Sequence, residues 1–165
     1  MRGQVKAANR GGKAPKRAAL GYLLDTSAIS ALAPGRENHL TQETVDWFHT
    51  HDAQLFLPSI AIAELAQGIA KLSRNGGVER ARRLEVWLNN LVQTFGDRVL
   101  PFDATLARLV GKMSDAAIAI GRHPGFADVA IAAAGQHYEL IVLTRNLKHF
   151  QPLGVACADP FERGL

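Results

Sequence analysis

Among the fifteen acidic residues in this chain, three stand out by the uncharged, largely apolar company they keep in sequence. On a helix an acid commonly has a Lys or Arg three or four positions away. Several here do: Glu79 has Arg82 and Arg83, Glu85 has Arg82, and Asp115 has Lys112. Glu64 instead has Ile60, Ala61, Gln67 and Gly68 at those spacings, and Asp128 has Pro124, Gly125, Ile131 and Ala132. Asp25 directly follows the apolar run Tyr22-Leu23-Leu24. A carboxylate in apolar surroundings is costly unless it is neutralised, paired or bound to a cation. Three such groups from separate elements are explained together if they converge on one hard divalent ion. Mg2+ and Mn2+ favour carboxylate oxygen and retain waters.

Each acid also has a structural reading. Aspartate is a favoured N-cap, and both Asp25, ahead of a helix beginning near Ser27, and Asp128, ahead of Val129, fit that role as well as the first. Glu64 lies mid-helix, where a structural role means bonding a buried backbone group or pairing with a distant Arg. Asp103 is most economically the cap of the helix that follows it. His39, His49, His51, His123, His137 and His149 show no His-x-x-x-His spacing, so they read as surface or core residues. The single cysteine, Cys157, excludes an intrachain disulfide and a cysteine-based metal cluster.

The elements that must position these residues alternate between strand and helix. Apolar runs predict strands at 19–24, 55–57, 99–102 and 140–143, with a last edge strand at 154–156. Helical spacing predicts helices at 28–32, 42–50, 59–72, 78–95, 104–120 and 126–137, the last apolar nearly all round and so buried. Thr144-Arg145-Asn146 leads into a half-turn reaching Phe150. Such alternation implies a parallel sheet with helices on its faces, and ligands beyond the carboxyl ends of the strands. Asp25 and Thr144 both stand at such ends.

The bulk properties limit the setting. A chain of 165 residues, 47% hydrophobic and 21% charged, fits one soluble domain with a sizeable core. Its net charge is +4, yet residues 1–20 hold six Lys and Arg and no acid, so residues 21–165 are at −2. The basic character belongs to an N-terminal tail, expected to be flexible, that attracts phosphate or is merely solvated. The basic start is not followed by the apolar run of about 7–15 residues that a signal peptide needs. No uninterrupted apolar stretch approaches the roughly 20 residues that span a bilayer. The expected setting is therefore the cytoplasm, away from membranes.

Four segments, in order, resemble the PIN-domain family. Tyr22-Leu23-Leu24-Asp25-Thr26-Ser27 resembles its opening strand running into Asp-Thr-Ser, and Ser59 to Leu65 its second motif, with the glutamate on a helix after Pro-Ser. Ala127 to Ala134 resembles the third, an aspartate leading an Ile-Ala-Ala helix, and Leu143-Thr144-Arg145-Asn146 the fourth. Within the family the chain is similar to VapC-type toxins of type II toxin–antitoxin systems, the FitB-like group among them. The resemblance implies an α/β/α sandwich around a short, mainly parallel sheet over residues 21–165. It implies a pocket where Asp25, Glu64 and Asp128 bind Mg2+ or Mn2+, with Asn146 as a further catalytic residue and Ser27 and Thr144 as hydroxyls behind the ligands. It also implies an endoribonuclease that forms a homodimer and is inhibited by a cognate VapB-like antitoxin.

One departure bears on the metal. Many relatives place a fourth acid where Asn146 stands, which leaves one ion or two open. Arg145 either holds a substrate phosphate or forms a structural ion pair. Glu64 either binds the ion or takes the nucleophile's proton through water. Two rival functions share parts of this pattern. A PIN-fold regulatory module acting on DNA with a partner protein would not need the three retained acids. A haloacid-dehalogenase-type phosphatase needs a second Asp where Ser27 stands, and is rejected. The general motif does not encode the RNA target. The long helix 78–95 either packs on its own core or supplies part of a dimer or antitoxin groove.

Overall fold

Consecutive leucines that are both buried require cover on both faces of a strand. Leu23 and Leu24, in strand β1 (Tyr22–Leu24), are 0% and 1% exposed. The structure, a computed structural model, describes residues 21–36 and 40–162, so the basic tail over 1–20 lies outside the described residues. β1 is the centre of a five-stranded sheet with β2 (Leu55–Pro58), β3 (Val99–Leu100), β4 (Ile141–Leu143) and β5 (Cys157–Ala158), in the order β3-β2-β1-β4-β5. Every pairing is parallel. Helices α1 (Thr26–Ala31), α2 (Gln42–Thr50), α3 (Ser59–Arg74), α4 (Val78–Phe95), α5 (Ala104–Ala119), α6 (Phe126–His137) and α7 (Leu147–Phe150) fill the connections. This is the α/β/α sandwich the alternation predicts.

The chain moves outward from β1 through β2 to β3, then crosses back to β4 and β5 on the other side. The order therefore reverses beside β1, and the crevice at such a switch point is where open parallel sheets bind ligands. Helix α6 fixes one side of it. Seven consecutive residues, Val129 to Gly135, are buried, and the alanines let the helix lie close to the sheet. At Gly135 an added Cβ would meet Val142 Cγ2 at 2.7 Å. Because α6 returns antiparallel to β4, its first turn, with Asp128, lies at the carboxyl edge of the sheet.

The strand boundaries at β2 and β4 differ from the sequence reading by one residue, those at β3 and the last strand by more. β3 stops at Leu100 because Pro101 has no N–H to donate, and the Phe102 N–H goes to Ser59 Oγ at 3.0 Å instead. The last strand is not 154–156 but Cys157–Ala158. Gly154 has φ +72° and closes a 3-10 turn over Gln151–Leu153, so the chain must turn before it can pair. The same-face ion pairs expected for Glu79, Glu85 and Asp115 are also not closed. Among the described residues the ion pairs are Arg98 with Asp52 and His149 with Asp128.

Candidate functional site

Asp25 ends β1, and its backbone continues the ladder by donating to Leu143 O at 2.9 Å. Its carboxylate is 3% exposed. It is the N-cap of α1, accepting from Ser27 N, and at the same time a buried acid at the switch point. Three donors converge on the same oxygen, Oδ2: Ser27 N at 3.3 Å, Ser27 Oγ at 2.7 Å and Thr144 Oγ1 at 2.8 Å. Thr144, at the end of β4, is 0% exposed, so its hydroxyl spans the β1–β4 junction. The same hydroxyl accepts from Asn146 N at 2.9 Å, and Ser27 Oγ accepts from Arg145 N at 3.0 Å. The turn after β4 is thus tied to the turn after β1 through two hydroxyl groups.

Glu64 stands on α3, near the carboxyl end of β2, and is half-buried. Thr26 Oγ1 donates to its Oε2 at 2.5 Å. Asp25 and Glu64 are therefore linked through adjacent residues of α1. Asp128 lies in the first turn of α6 but is not its cap; Gly125 holds that position. The carboxylate has another partner, His149 Nδ1, 3.0 Å from Oδ2. His149 reads from sequence as an ordinary surface or core residue, and no local spacing could have found it, since it lies 21 positions from Asp128. Thr26 was likewise missed, although its place inside Asp-Thr-Ser was the available signal.

The structure thus gathers Asp25, Ser27, Thr144 and the backbone of Arg145 and Asn146 into one network and joins Glu64 to it through Thr26. Asp128 is not joined to it. It lines a separate cleft of about 230 Å³ with Arg122, His123, Lys148 and His149. The Asn146 side chain is exposed and makes no capping bond to α7. The Arg145 guanidinium lies 5.6 Å from the centre of the Phe161 ring. Burial pushes the Cys157 thiol up from its ordinary value, which leaves it a poor nucleophile.

Does this donor set suit a hard divalent ion? Its chemistry does: the donors are carboxylate, hydroxyl and amide oxygen. Among the described residues, no Lys, Arg or His makes an ion pair with Asp25 or Glu64. Each of the three carboxylates is held through one oxygen, Oδ2, Oε2 and Oδ2 in turn. Yet no group of three or more His, Cys, Asp or Glu side chains stands close enough to share an ion among the described residues. Convergence of the three acids therefore requires their side chains to move.

The profile of the PIN domain family matches residues 22–152. The chain is 31% identical over 141 residues to Toxin FitB of Neisseria gonorrhoeae, covering 84% of this chain and 97% of that protein. It is 29% identical over 148 residues to VapC ribonuclease Y4jK of Sinorhizobium fredii, covering 85% and 97%. The crystal structure of FitAcB from Neisseria gonorrhoeae superposes with a TM-score of 0.67 at 30% identity, covering 86% of this chain and 99% of that one.

Proposed function

This chain belongs to the PIN-domain family, and on that premise we propose that it is a metal-dependent endoribonuclease, the toxin of a toxin–antitoxin pair. The observation that carries the reading is Asp25: a carboxylate 3% exposed, at the switch point of a parallel sheet, clamped by two hydroxyls and without a cationic partner among the described residues. A structural cap needs none of that burial. Glu64, bonded to the hydroxyl of Thr26 next to Asp25 in sequence, and Asp128, in the first turn of α6, complete the set that would hold Mg2+ or Mn2+ once their side chains move together. When bound, such an ion supplies Lewis-acid polarisation of a phosphate and an activated water.

The chain's own groups have separate tasks. Ser27 and Thr144 fix the rotamer of Asp25 by occupying Oδ2, which leaves Oδ1 for the ion. Glu64 accepts the proton of the attacking water or binds the ion. The reaction is hydrolysis: water adds at phosphorus, the bond to the 3′ oxygen breaks, and that oxygen takes a proton, leaving 5′-phosphate and 3′-hydroxyl ends. Asn146 adds no charge to the site, which favours a single ion. Arg145 is within reach of substrate only if its guanidinium leaves Phe161. The names of the relatives support a toxin role and a ribonuclease activity; a VapB-like antitoxin partner, a cytoplasmic setting and a homodimer belong to the same proposal. Among the described residues no helix is long and apolar enough to cross a membrane.

The test is cleavage of single-stranded RNA by the purified chain in Mg2+, with and without EDTA, beside Asp25→Asn. Cleavage is expected only in the parent with metal present. Parent-rate cleavage by the folded Asp25→Asn variant would remove the site assignment. Metal-independent silence of the parent, combined with DNA binding in the presence of a partner, would favour the regulatory-module reading.

A further inference from the structure

We infer that α4 carries a binding track for single-stranded RNA, with Trp87 as a base-stacking surface and Arg80, Arg83 and Arg36 as phosphate contacts. The inference rests on the nuclease reading, which names RNA as the ligand. Arg80, Arg83, Leu84 and Trp87 recur at i, i+3, i+4 and i+7, so they form one stripe. The helix buries a different stripe, Ala81, Leu88 and Phe95. This second stripe, exposed at Arg80 and Arg83 and half-buried at Leu84 and Trp87, follows helical period but carries two guanidinium groups and an indole.

Trp87 packs part of its ring against the core and lines a cleft of about 230 Å³ between α1, α3 and α4 with the rest. Glu64, Arg36 and Arg80 line the same cleft. Arg83 joins Arg80 in an adjoining hollow beside Pro34 and Gly35. A flat aromatic surface, two cations and a carboxylate of the candidate cleavage site therefore line one cleft, with a third cation beside it. None of the three arginines is in an ion pair with a described acid. Guanidinium groups gathered in this way without a described acid as partner attract an anion, and their planar forks suit phosphate.

A single-stranded nucleic acid offers what this wall takes: repeated phosphates, and bases whose π-faces stack on an aromatic ring regardless of sequence. Residues 21–165 carry net negative charge, so attraction to RNA must come from a local track rather than from the domain as a whole. An acidic peptide would also suit the arginines, but it gains nothing from ending at Glu64.

The experiment measures fluorescence anisotropy of a labelled, mixed-sequence RNA 12-mer with the full chain in EDTA, across a salt series. For Arg80→Ala/Arg83→Ala, affinity should fall at least tenfold and the slope of log K against log salt should shrink by about 1.4, two phosphate contacts at roughly 0.7 each. Trp87→Ala should weaken binding about 5- to 100-fold and Trp87→Phe should restore most of it. The chain has two tryptophans, so in Trp47→Phe the remaining emission reports Trp87 and should be quenched by RNA, even if Trp87→Ala does not fold. Unchanged affinity and slope in the double variant, or no quenching in Trp47→Phe, would overturn the inference. So would loss of binding to a synthetic acidic peptide with RNA binding intact. Asp25→Asn separates the two claims: if it still cleaves while the arginine variant loses RNA, the cleavage site is wrong and the track stands.

Discussion

Thr144→Val isolates the clamp on Asp25, because the substitution keeps the branched shape and removes only the hydroxyl. That hydroxyl donates to Asp25 Oδ2 at 2.8 Å and accepts from Asn146 N at 2.9 Å, with the residue 0% exposed. A hydrogen bond to a charged group contributes about 1.5–3 kcal/mol. The Asn146 N–H lies on an exposed residue and turns to water at little cost. The extra buried methyl returns roughly 0.8 kcal/mol. The expected net loss is about 1–2 kcal/mol in urea unfolding. A double-mutant cycle with Asp25→Asn apportions it. If the hydroxyl acts on the Asp25 carboxylate, the two losses fail to add by about 0.5 kcal/mol or more. The midpoint of any Mg2+ effect should also rise about tenfold or more, as when other groups that orient ligands are lost. Full stability and strict additivity in Thr144→Val would refute the claim that this hydroxyl holds the carboxylate.

Two further outcomes follow from the same geometry. Saturating Mg2+ should raise the Tm of the parent, since an ion at 100 times its Kd stabilises the folded state by about 2.7 kcal/mol, and EDTA should reverse the rise; Asp25→Asn should show little of it in calorimetry. Gly135→Ala should destabilise by roughly 1–3 kcal/mol in urea unfolding, because its Cβ would stand 2.7 Å from Val142 Cγ2 in a packed interface; an unchanged midpoint would mean that α6 can slide off the sheet freely.

The sequence made the scaffold legible because its signals are local. Apolar runs ending at Asp25 and Thr144, and the all-apolar helix carrying Asp128, are statements about neighbours in the chain. They give the strands, the parallel sheet and the edge where ligands sit. Boundaries failed where a neighbour's conformation decided: Gly154, at φ +72°, ends a turn rather than starting a strand, and Pro101 cuts β3 short. The site was legible by residue type more than by contact. The absence of basic neighbours at helical spacing singles out Glu64 and Asp128, and the apolar run before it singles out Asp25, yet the pairs expected of Glu79, Glu85 and Asp115 do not form among the described residues. Apolar neighbours in sequence correspond to burial for Asp25 but not for Asp128, which lines a cleft with Arg122, Lys148 and His149. Partners distant in sequence, His149 for Asp128 and Thr144 for Asp25, could not be read from spacing at all.

Those distant partners differ in kind, and the difference bears on how a cation would be held. Ser27 and Thr144 are neutral, bring no charge of their own, and fix Asp25 through one oxygen without competing for the other. Thr26 does the same for Glu64. His149 occupies Oδ2 of Asp128 from the far side of a cleft that also holds Arg122 and Lys148. Asp25 is thus preorganised by the sheet itself, with the burial of Thr144 guaranteeing the position of its donor. Asp128, about a quarter exposed in its side chain and held by a group on a four-residue helix, retains freedom to move. A site in which one carboxylate stays adjustable needs less accuracy from the backbone than one assembled from three rigid ones. On that view the sheet determines where an ion would sit, and the helices determine how tightly it would be held.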